Sequence, residues 1–160
     1  IVGVDISEGM LEVGRKKMEK LQLTNKITLQ YGDSEHLPFE SESFDAITCG
    51  YGVRNFEHLE NGLKEMYRVL TAKGRVAILE FSHPKQFPIK QAYNFYFNNI
   101  MPTMGKLVSK DARAYTYLPE SVAAFPEGEN FLKILAACGF KNCKAEPLTF
   151  GITTLYTAEK

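Results

Sequence analysis

Apolar positions near the start of the chain recur with two different periods, and the change of period separates predicted strands from a predicted helix. Residues 1–6 form a nearly continuous apolar run that is typical of a buried strand. Ser7 follows as the predicted cap of a helix, because its hydroxyl can accept from a backbone N–H in the first turn. The apolar face of this helix contains Met10, Leu11, Gly14, Met18 and Leu21. Residues 27–31 then alternate as a second strand that ends at Gly32-Asp33.

The middle of the chain continues the alternation of strands and helices. Residues 43–50 (SFDAITCG) predict a third strand, and residues 75–81 (RVAILEF) predict a fourth. The helix between them is predicted to stop at Gly74, since glycine commonly ends a helix. Its apolar face contains Leu59, Leu63, Met66 and Leu70. Strands separated by single helices pair in parallel through right-handed crossovers, so the pattern predicts a doubly wound α/β sheet.

The C-terminal part of the chain predicts a different ending for the sheet. Residues 129–140 predict a helix stopped by Gly139, and residues 141–160 predict two strands joined through residues 147–151. Two strands with so short a connection pair antiparallel. We therefore expect an antiparallel last strand.

Residues 84–126 interrupt this rhythm within what we predict to be one domain over residues 1–160. The segment contains several prolines and a dense run of aromatic residues, and it is too long for an ordinary crossover loop. We interpret it as a helical, aromatic-rich insertion. Its predicted helix is apolar on nearly every side, which suits either a lid over an apolar ligand or packing in the core. These apolar residues are Tyr93, Phe95, Tyr96, Phe97, Ile100, Met101 and Met104.

Composition narrows the classes of protein and of partner. With 160 residues, 44% of them hydrophobic and 24% charged, the chain can bury a core. Nineteen basic residues balance nineteen acidic ones, so we expect no nucleic-acid partner. Cys49, Cys138 and Cys143 lack the paired spacing of a zinc site, so we expect no metal and a reducing cytoplasm. No stretch approaches the roughly 18–20 apolar residues of a membrane span.

Polar residues follow the predicted strands, where ligands bind in sheets of this kind. Asp5 could hold both hydroxyls of a ribose, and Asp33 could accept from the amine of an adenine. A turn or a helix start would explain each aspartate equally well. No glycine-rich phosphate loop of either common type occurs. Together the two aspartates favour an adenosine-containing ligand without a triphosphate, and nothing suggests the hydride-transfer apparatus of a nicotinamide dehydrogenase.

Several stretches resemble one enzyme family over essentially the whole chain. They are GVDISEGML, YGDSEHLPF, SFDAIT, GYGVRNF, MYRVLTAKGRVAILEFSHP and GITTLYTAEK. These stretches are similar to the UbiE-type C-methyltransferases of ubiquinone and menaquinone biosynthesis, which use S-adenosylmethionine. The combination of G-x-R-N with L-E-F-S-x-P carries most of the specificity. The resemblance implies a Rossmann-like class I S-adenosylmethionine-dependent methyltransferase fold.

The resemblance also implies a set of cofactor-binding residues. Asp5 would bind the ribose of S-adenosylmethionine, and Asp33 and Ser34 would flank its adenine. Gly50 would line the methionine side. Tyr51 would cover the cofactor or offer its ring to the cationic sulfur.

The implied substrate is demethylmenaquinol or a polyprenyl methoxy-benzoquinol, methylated on a ring carbon, with the naphthoquinol favoured. Arg54 is the candidate that stabilises the phenolate or holds a water that takes its proton, and Asn55 would position a ring oxygen. His58 and His83 are further candidates for a base, with structural roles as the alternative. Glu80 is either a supporting partner or a buried carboxylate satisfied by the backbone.

The insertion would then serve as a lid over a lipid quinone, with core packing as the alternative. The predicted substrate-binding residues in it are Tyr93, Tyr96, Phe97, Met101 and Tyr115, and Tyr117 could complete the lid. Because the quinone resides in the bilayer, we expect a soluble cytoplasmic enzyme that makes transient contact with the membrane surface.

Family members carry a strand and a glycine-rich loop that would precede Ile1. We therefore expect a truncated chain with a gap in the sheet between the strands that end at Asp5 and Gly50. Without this strand and loop, the chain is expected to bind the cofactor poorly and to be inactive. The alternatives are a methyltransferase for another small apolar acceptor, such as a sterol or a phenol, and a cofactor-free interaction subunit of the same fold.

Overall fold

The computed structural model describes residues 1–100 and 113–160, and for residues 98 and 113–116 it describes the backbone alone. Two sheets contain the strands: a two-stranded sheet of β1 and β2, and a four-stranded sheet in the order β3-β4-β6-β5. The strands are β1 (Val2–Asp5), β2 (Thr28–Tyr31), β3 (Phe44–Gly50), β4 (Leu70–Phe81), β5 (Lys141–Leu148) and β6 (Thr153–Glu159). Within the described residues, no strand pairs with both β1 and β3.

The pairing directions are those of a mixed sheet. β1 pairs parallel with β2, and β3 pairs parallel with β4, while β6 lies antiparallel between β4 and β5. Parallel neighbours require a crossover, and a helix supplies it in each case. Because β5 and β6 pair antiparallel, the predicted antiparallel end of the sheet is confirmed.

Five α-helices connect or flank these strands in the described part of the chain. They are α1 (Glu8–Lys20), α2 (Leu59–Val69), α3 (Ile89–Phe95), α4 (Arg113–Ala124) and α5 (Glu129–Ala137). A π-helical turn, Tyr96–Ile100, continues α3, and a 3-10 turn, Val53–Asn55, follows β3. Ser7 caps α1 as predicted, since its hydroxyl oxygen accepts from the N–H of Met10 at 3.4 Å.

The predicted apolar face of α1 is only partly buried. Leu11 is 3% exposed, whereas Met10 and Leu21 are 63% and 53% exposed. The helix packs against β1 and β2, and a sheet of two short strands covers little of its surface.

The predicted helix stop at Gly74 is wrong. Helix α2 ends at Val69, and Leu70 already has the extended backbone of β4. The N–H groups of Glu42 and Ser43 donate to the carbonyls of Arg68 and Val69 at 3.0 and 2.8 Å. These bonds satisfy carbonyls at the helix end, so no glycine cap is needed.

One face of the four-stranded sheet carries the core. Helices α2 and α5 cover this face, and their buried side chains pack on alternate residues of β4 and β6. The residues in this cluster include Leu63, Met66, Phe131, Leu135, Val76, Ile78, Tyr156 and Ala158. Burying each large apolar side chain contributes about 1.5–3 kcal/mol, so this face fixes the positions of the strand ends. Glu80 lies on the same face of β4 and is fully buried.

Candidate active site

The two aspartates predicted to bind the adenosine lie at one edge of the small sheet. Asp5 is the last residue of β1, and Asp33 comes after the end of β2. Because the two strands are parallel and the N–H of Gly32 donates to the carbonyl of Asp5 at 3.2 Å, both aspartates lie at neighbouring strand ends. Asp5 Oδ1 accepts from the N–H of Ser7 at 2.8 Å, and Asp33 Oδ1 accepts from the N–H of Glu35 at 2.8 Å. Both aspartates therefore make the local turns that the sequence left as an alternative.

These turn bonds are compatible with a ribose and an adenine. A carboxylate offers about four lone-pair positions over its two oxygens. Asp5 is exposed, and within the described residues its Oδ2 accepts no hydrogen bond. Ser34 follows Asp33 and is half-buried. The residues present thus fit the adenosine part of S-adenosylmethionine.

Arg68 and Glu65 of helix α2 form an ion pair, and both side chains bind the segment after β2. Arg68 donates to the carbonyls of Leu37 and Phe39 at 3.1 and 2.8 Å. Glu65 accepts from the N–H of Leu37 at 2.9 Å and from Arg68 at 2.7 Å. The hydrogen bond from Arg68 lowers the pKa of Glu65 below its ordinary value. These bonds tie Leu37 and Phe39, which follow the turn of Asp33, to helix α2.

The end of β3 at Gly50 faces open space, and the next residue, Tyr51, has an unusual backbone conformation. No atom of the described chain comes within 4 Å of a Cβ added at Gly50, so a ligand can approach this strand end. Gly52 is different, because a Cβ there would lie 2.8 Å from the sulfur of Cys49. Tyr51 has a φ of 58°, which is uncommon for a bulky residue and recurs at functional sites. Its ring packs at a tilt against Phe81, with 4.6 Å between centroids.

Arg54 forms a buried ion pair with Glu80. The 3-10 turn presents Arg54, whose Nη1 donates to Glu80 Oε1 at 2.7 Å and to the carbonyl of Tyr51 at 2.5 Å. The Arg54 side chain is 11% exposed and that of Glu80 is 0% exposed. Glu80 Oε1 also accepts from the N–H of Phe81 at 3.0 Å. Glu80 is thus both a partner of Arg54 and a carboxylate satisfied by the backbone.

The guanidinium of Arg54 keeps bonding capacity for a ligand. Its Cζ lies 5.4 Å from the centroid of the Phe81 ring, and its Nε is buried without a hydrogen-bond partner among the described residues. Buried donors are normally paired, so an enclosed water or a ligand oxygen is the expected partner of this N–H.

Asn55 connects this loop to the insertion. Its Oδ1 accepts from the hydroxyl of Tyr117 in α4 at 2.9 Å, and its Nδ2 lies 3.4 Å from the carbonyl of Tyr51. Tyr117 is 52% exposed, so the bond spans the surface between the two segments. The insertion therefore contacts the loop that carries Arg54.

Three of the predicted substrate-binding aromatics form one cluster near the start of the insertion. Tyr93 stacks on Phe97 with 4.3 Å between centroids, and Phe97 meets Tyr96 edge-on at 5.6 Å. Tyr93 is 7% exposed, and its hydroxyl has no hydrogen-bond partner among the described residues. Burial raises the pKa of Tyr93 to about 12. Met101 and the side chain of Tyr115 lie outside the described residues.

A cavity of about 650 Å³ adjoins the end of β4. Ser82 and His83 line it from the segment after β4, Gly151 from the β5–β6 connection, Thr154 from β6, and Glu127 from the segment before α5. His83 pairs with Glu127 across the insertion. No sequence pattern predicts this pair, because Glu127 lies 44 residues from His83 in a segment without a recognisable motif.

Two further features bear on the class of protein. Among residues 1–100 and 113–160, no group of three or more His, Cys, Asp or Glu side chains could hold a metal ion. In the same part of the chain, no helix has both the length and the apolar character needed to cross a bilayer.

The fold and the strand-end site define the class as a Rossmann-like S-adenosylmethionine-dependent methyltransferase fold, as predicted. The chain superposes on a SAM-dependent methyltransferase from Aquifex aeolicus with a TM-score of 0.68 and 16% identity, covering 99% of this chain and 67% of that one. It also superposes on the [4+2]-cyclase SpnF with a TM-score of 0.69 and 14% identity, covering 100% and 65%. At these identities the likeness defines the fold alone.

The chain belongs to the ubiE/COQ5 methyltransferase family, whose model matches residues 1–160. It is 49% identical to a demethylmenaquinone methyltransferase of Bacteroides fragilis, covering 100% of this chain and 65% of that protein. It is 46% identical to the ubiquinone/menaquinone biosynthesis C-methyltransferase UbiE of Geotalea daltonii, covering 100% and 68%. The chain thus spans about two-thirds of the length of these curated relatives, and the family resemblance of its motifs is confirmed.

Proposed function

We propose that the protein is an S-adenosylmethionine-dependent C-methyltransferase of quinone biosynthesis. Its substrate is demethylmenaquinol, methylated to menaquinol, or a 2-polyprenyl-6-methoxy-1,4-benzoquinol. The names of the relatives at 49% and 46% identity support this substrate class. The structural observation that carries the proposal is the buried pair of Arg54 and Glu80, held beside the open end of β3 at Gly50.

The cofactor-binding residues follow the strand ends. Asp5 accepts hydrogen bonds from the ribose hydroxyls, and Asp33 and Ser34 contact the adenine. Gly50 leaves room for the methionine part, and the exposed ring of Tyr51 contacts the sulfonium. When bound, S-adenosylmethionine supplies an electrophilic methyl group.

Arg54 and Asn55 act on the acceptor ring. A quinol carbon becomes a nucleophile as negative charge develops on a ring oxygen, and a preorganised cation beside that oxygen lowers the barrier. Arg54 supplies this cation, and its bond to buried Glu80 keeps the guanidinium in one orientation. Asn55 positions a second ring oxygen, with its side chain held by Tyr117.

The insertion, residues 84–126 within the single methyltransferase domain, forms a lid over the prenylated substrate. Tyr93, Tyr96 and Phe97 contact the acceptor, together with Met101 and Tyr115. The hydrogen bond between the α4 residue Tyr117 and the catalytic loop supports closure over the site.

The outer surface of the insertion contacts the membrane that holds the quinone. Phe87 and Phe95 are 81% and 61% exposed, which supports this contact. Cosedimentation with lipid vesicles tests it, and a protein that stays entirely in the supernatant contradicts it.

The decisive experiment follows methyl transfer from labelled S-adenosylmethionine to reduced demethylmenaquinone by the intact protein. The oxidised quinone is the control, because it cannot form a phenolate. Labelled menaquinol supports the proposal, and a benzoquinol acceptor run in parallel separates the two substrates. Calorimetry then measures the binding of S-adenosylhomocysteine. Tight binding without quinol turnover would indicate another apolar acceptor. The absence of both binding and turnover would refute the proposal that the protein is a methyltransferase.

A further inference from the structure

The cavity at the end of β4 contains a histidine and a carboxylate in the arrangement of a general base. We propose that His83, oriented by Glu127, takes the hydroxyl proton of the aromatic acceptor. The inference rests on the proposed function, and it assigns the proton acceptor that the site of Arg54 leaves open.

Glu127 fixes both the backbone and the ring of His83. One carboxylate oxygen of Glu127 lies 2.8 Å from the backbone N–H of His83 and 3.0 Å from the ring Nδ1. A carboxylate is a pure acceptor, so it selects the tautomer that carries its proton on Nδ1. Nε2 is then the nitrogen with a free lone pair, and it has no partner among the described residues. This arrangement leaves Nε2 ready to accept a proton.

The backbone that carries His83 is held on both sides. Ser82 donates its N–H to the carbonyl of Ile152 at 2.9 Å and its hydroxyl to the carbonyl of Gly151 at 3.0 Å. Its hydroxyl is also 2.8 Å from that of Thr154. A base must keep a fixed distance from the proton it removes, and this anchoring meets that requirement.

The surroundings of His83 suit an aromatic acceptor. The Tyr93 ring packs edge-on against the imidazole, with 5.8 Å between centroids, and the hydroxyl of Tyr93 is buried without a partner in the described residues. The charged groups around the imidazole are Glu127, in contact with it, and Lys85 and Glu129, which line the same cavity. The cavity volume of about 650 Å³ lies within the range of small-molecule sites.

His83 also lies close in sequence to the residues that carry the proposed chemistry. It follows Glu80 and Phe81, and the ring of Phe81 contacts both Tyr51 and Arg54. In space, the imidazole of His83 contacts Tyr93, which stacks on Phe97, and both aromatic residues belong to the group proposed to contact the acceptor.

The proton balance is complete without an added oxidant or reductant. The acceptor O–H bond breaks, the new N–H bond forms on Nε2, and the bonding pair stays on oxygen. The ortho carbon forms its bond to the methyl group supplied by S-adenosylmethionine, and the methyl–sulfur bond breaks with its pair left on sulfur. The ring C–H proton then leaves to solvent, and the imidazolium returns its proton to the ring oxygen. One proton is released per turnover, and His83 ends neutral.

The chain contains a matched pair that serves as a control. Glu35 Oε1 accepts from the N–H of His58 at 2.8 Å and Oε2 lies 3.1 Å from its Nδ1, so the two His–Glu pairs have nearly the same distances. The His58 side chain is 63% exposed, and His58 does not line the cavity. A structural role for such pairs would apply to both histidines, whereas a catalytic role applies to His83 alone.

The test compares His83→Gln with His58→Gln in the intact protein, using reduced demethylmenaquinone as acceptor. Glutamine keeps a polar side chain of similar length, but its amide cannot take up a proton. We expect kcat to fall about 100-fold in His83→Gln, with the acceptor KM within about threefold of wild type, since general-base catalysis contributes about 10²–10⁴-fold. The His58→Gln variant should keep kcat within about twofold. Thermal unfolding of each variant controls for loss of structure.

A second acceptor separates a base from a positioning side chain. A naphthoquinol analogue with electron-withdrawing substituents is already ionised at the assay pH and needs no base. The His83→Gln loss should shrink to within about tenfold with this acceptor, because the missing step is bypassed.

The possible outcomes discriminate clearly. Equal losses with both acceptors, an undiminished kcat in His83→Gln, or an equal loss in His58→Gln would each overturn the inference while leaving the proposed function intact. A wild-type protein that methylates no quinol overturns the proposed function and the inference with it.

Discussion

Removing either partner of the buried Arg54–Glu80 pair should destabilise the fold more than removing both. The side chains are 11% and 0% exposed and lie 2.7 Å apart. Breaking a buried pair leaves one charge uncompensated and costs about 3–5 kcal/mol, whereas replacing both partners is often nearly neutral. Glu80→Gln tests the charge alone, because an amide oxygen can still accept from the backbone N–H of Phe81. Arg54→Met retains the packing over the Phe81 ring.

The assay is urea unfolding of the two single variants and of the double variant. With an m-value of about 2 kcal/mol per molar, a loss of about 3 kcal/mol lowers the midpoint by about 1.5 M in each single variant. The double variant should lose less than either single variant, because no buried charge then remains.

An exposed ion pair provides the control for this cycle. Lys16 and Glu12 lie 2.8 Å apart, with side chains 72% and 64% exposed. Glu12→Gln should leave the midpoint unchanged within error, since water already solvates both charges. Additive losses for Arg54 and Glu80, or a loss in Glu12→Gln of the same size, would refute the reasoning from burial.

Three further predictions follow from individual side chains. Tyr93→Phe should leave the urea midpoint unchanged or raise it, because the hydroxyl that it removes has no partner among the described residues. Tyr156→Phe, whose hydroxyl accepts from a backbone N–H, should lose about 1 kcal/mol, and a loss in Tyr93→Phe as large as that in Tyr156→Phe contradicts this. Asp5→Asn should weaken the calorimetric affinity for S-adenosylhomocysteine about tenfold, because a charged acceptor is lost, and an unchanged affinity contradicts the ribose assignment. The hydrogen bond from Arg68 lowers the pKa of Glu65, so its stabilising contribution is complete above the ordinary carboxyl pKa and is lost as pH falls through the lowered pKa. Glu65→Gln should therefore flatten the acid limb of the unfolding free energy, and a limb as steep as that of wild type contradicts the assignment.

Local sequence patterns predicted the elements whose causes are local. The Ser7 cap needs only an N–H three residues ahead, and the alternation in β4 reflects one buried face, so both were predictable. The end of α2 was not, because its last carbonyls accept from Glu42 and Ser43, which lie far from it in sequence.

The same distinction applies to the candidate site. Residues that follow strands were predictable, since a parallel sheet brings its strand ends to one edge. The pairing of His83 with Glu127 depends on the path of the insertion between them, and no spacing rule describes that path. The role of Phe81 as a platform for both Tyr51 and Arg54 likewise appears only in three dimensions.

The end of β4 and the two residues after it contact several segments of the proposed site. Glu80 holds Arg54, Phe81 supports the ring of Tyr51, Ser82 anchors the β5–β6 connection, and His83 pairs with Glu127. Successive residues of a strand end can contact different segments because their side chains alternate between the two faces. The [4+2]-cyclase SpnF has the same fold at 14% sequence identity. The fold therefore provides the strand end, whereas function depends on the side chains that the strand end carries.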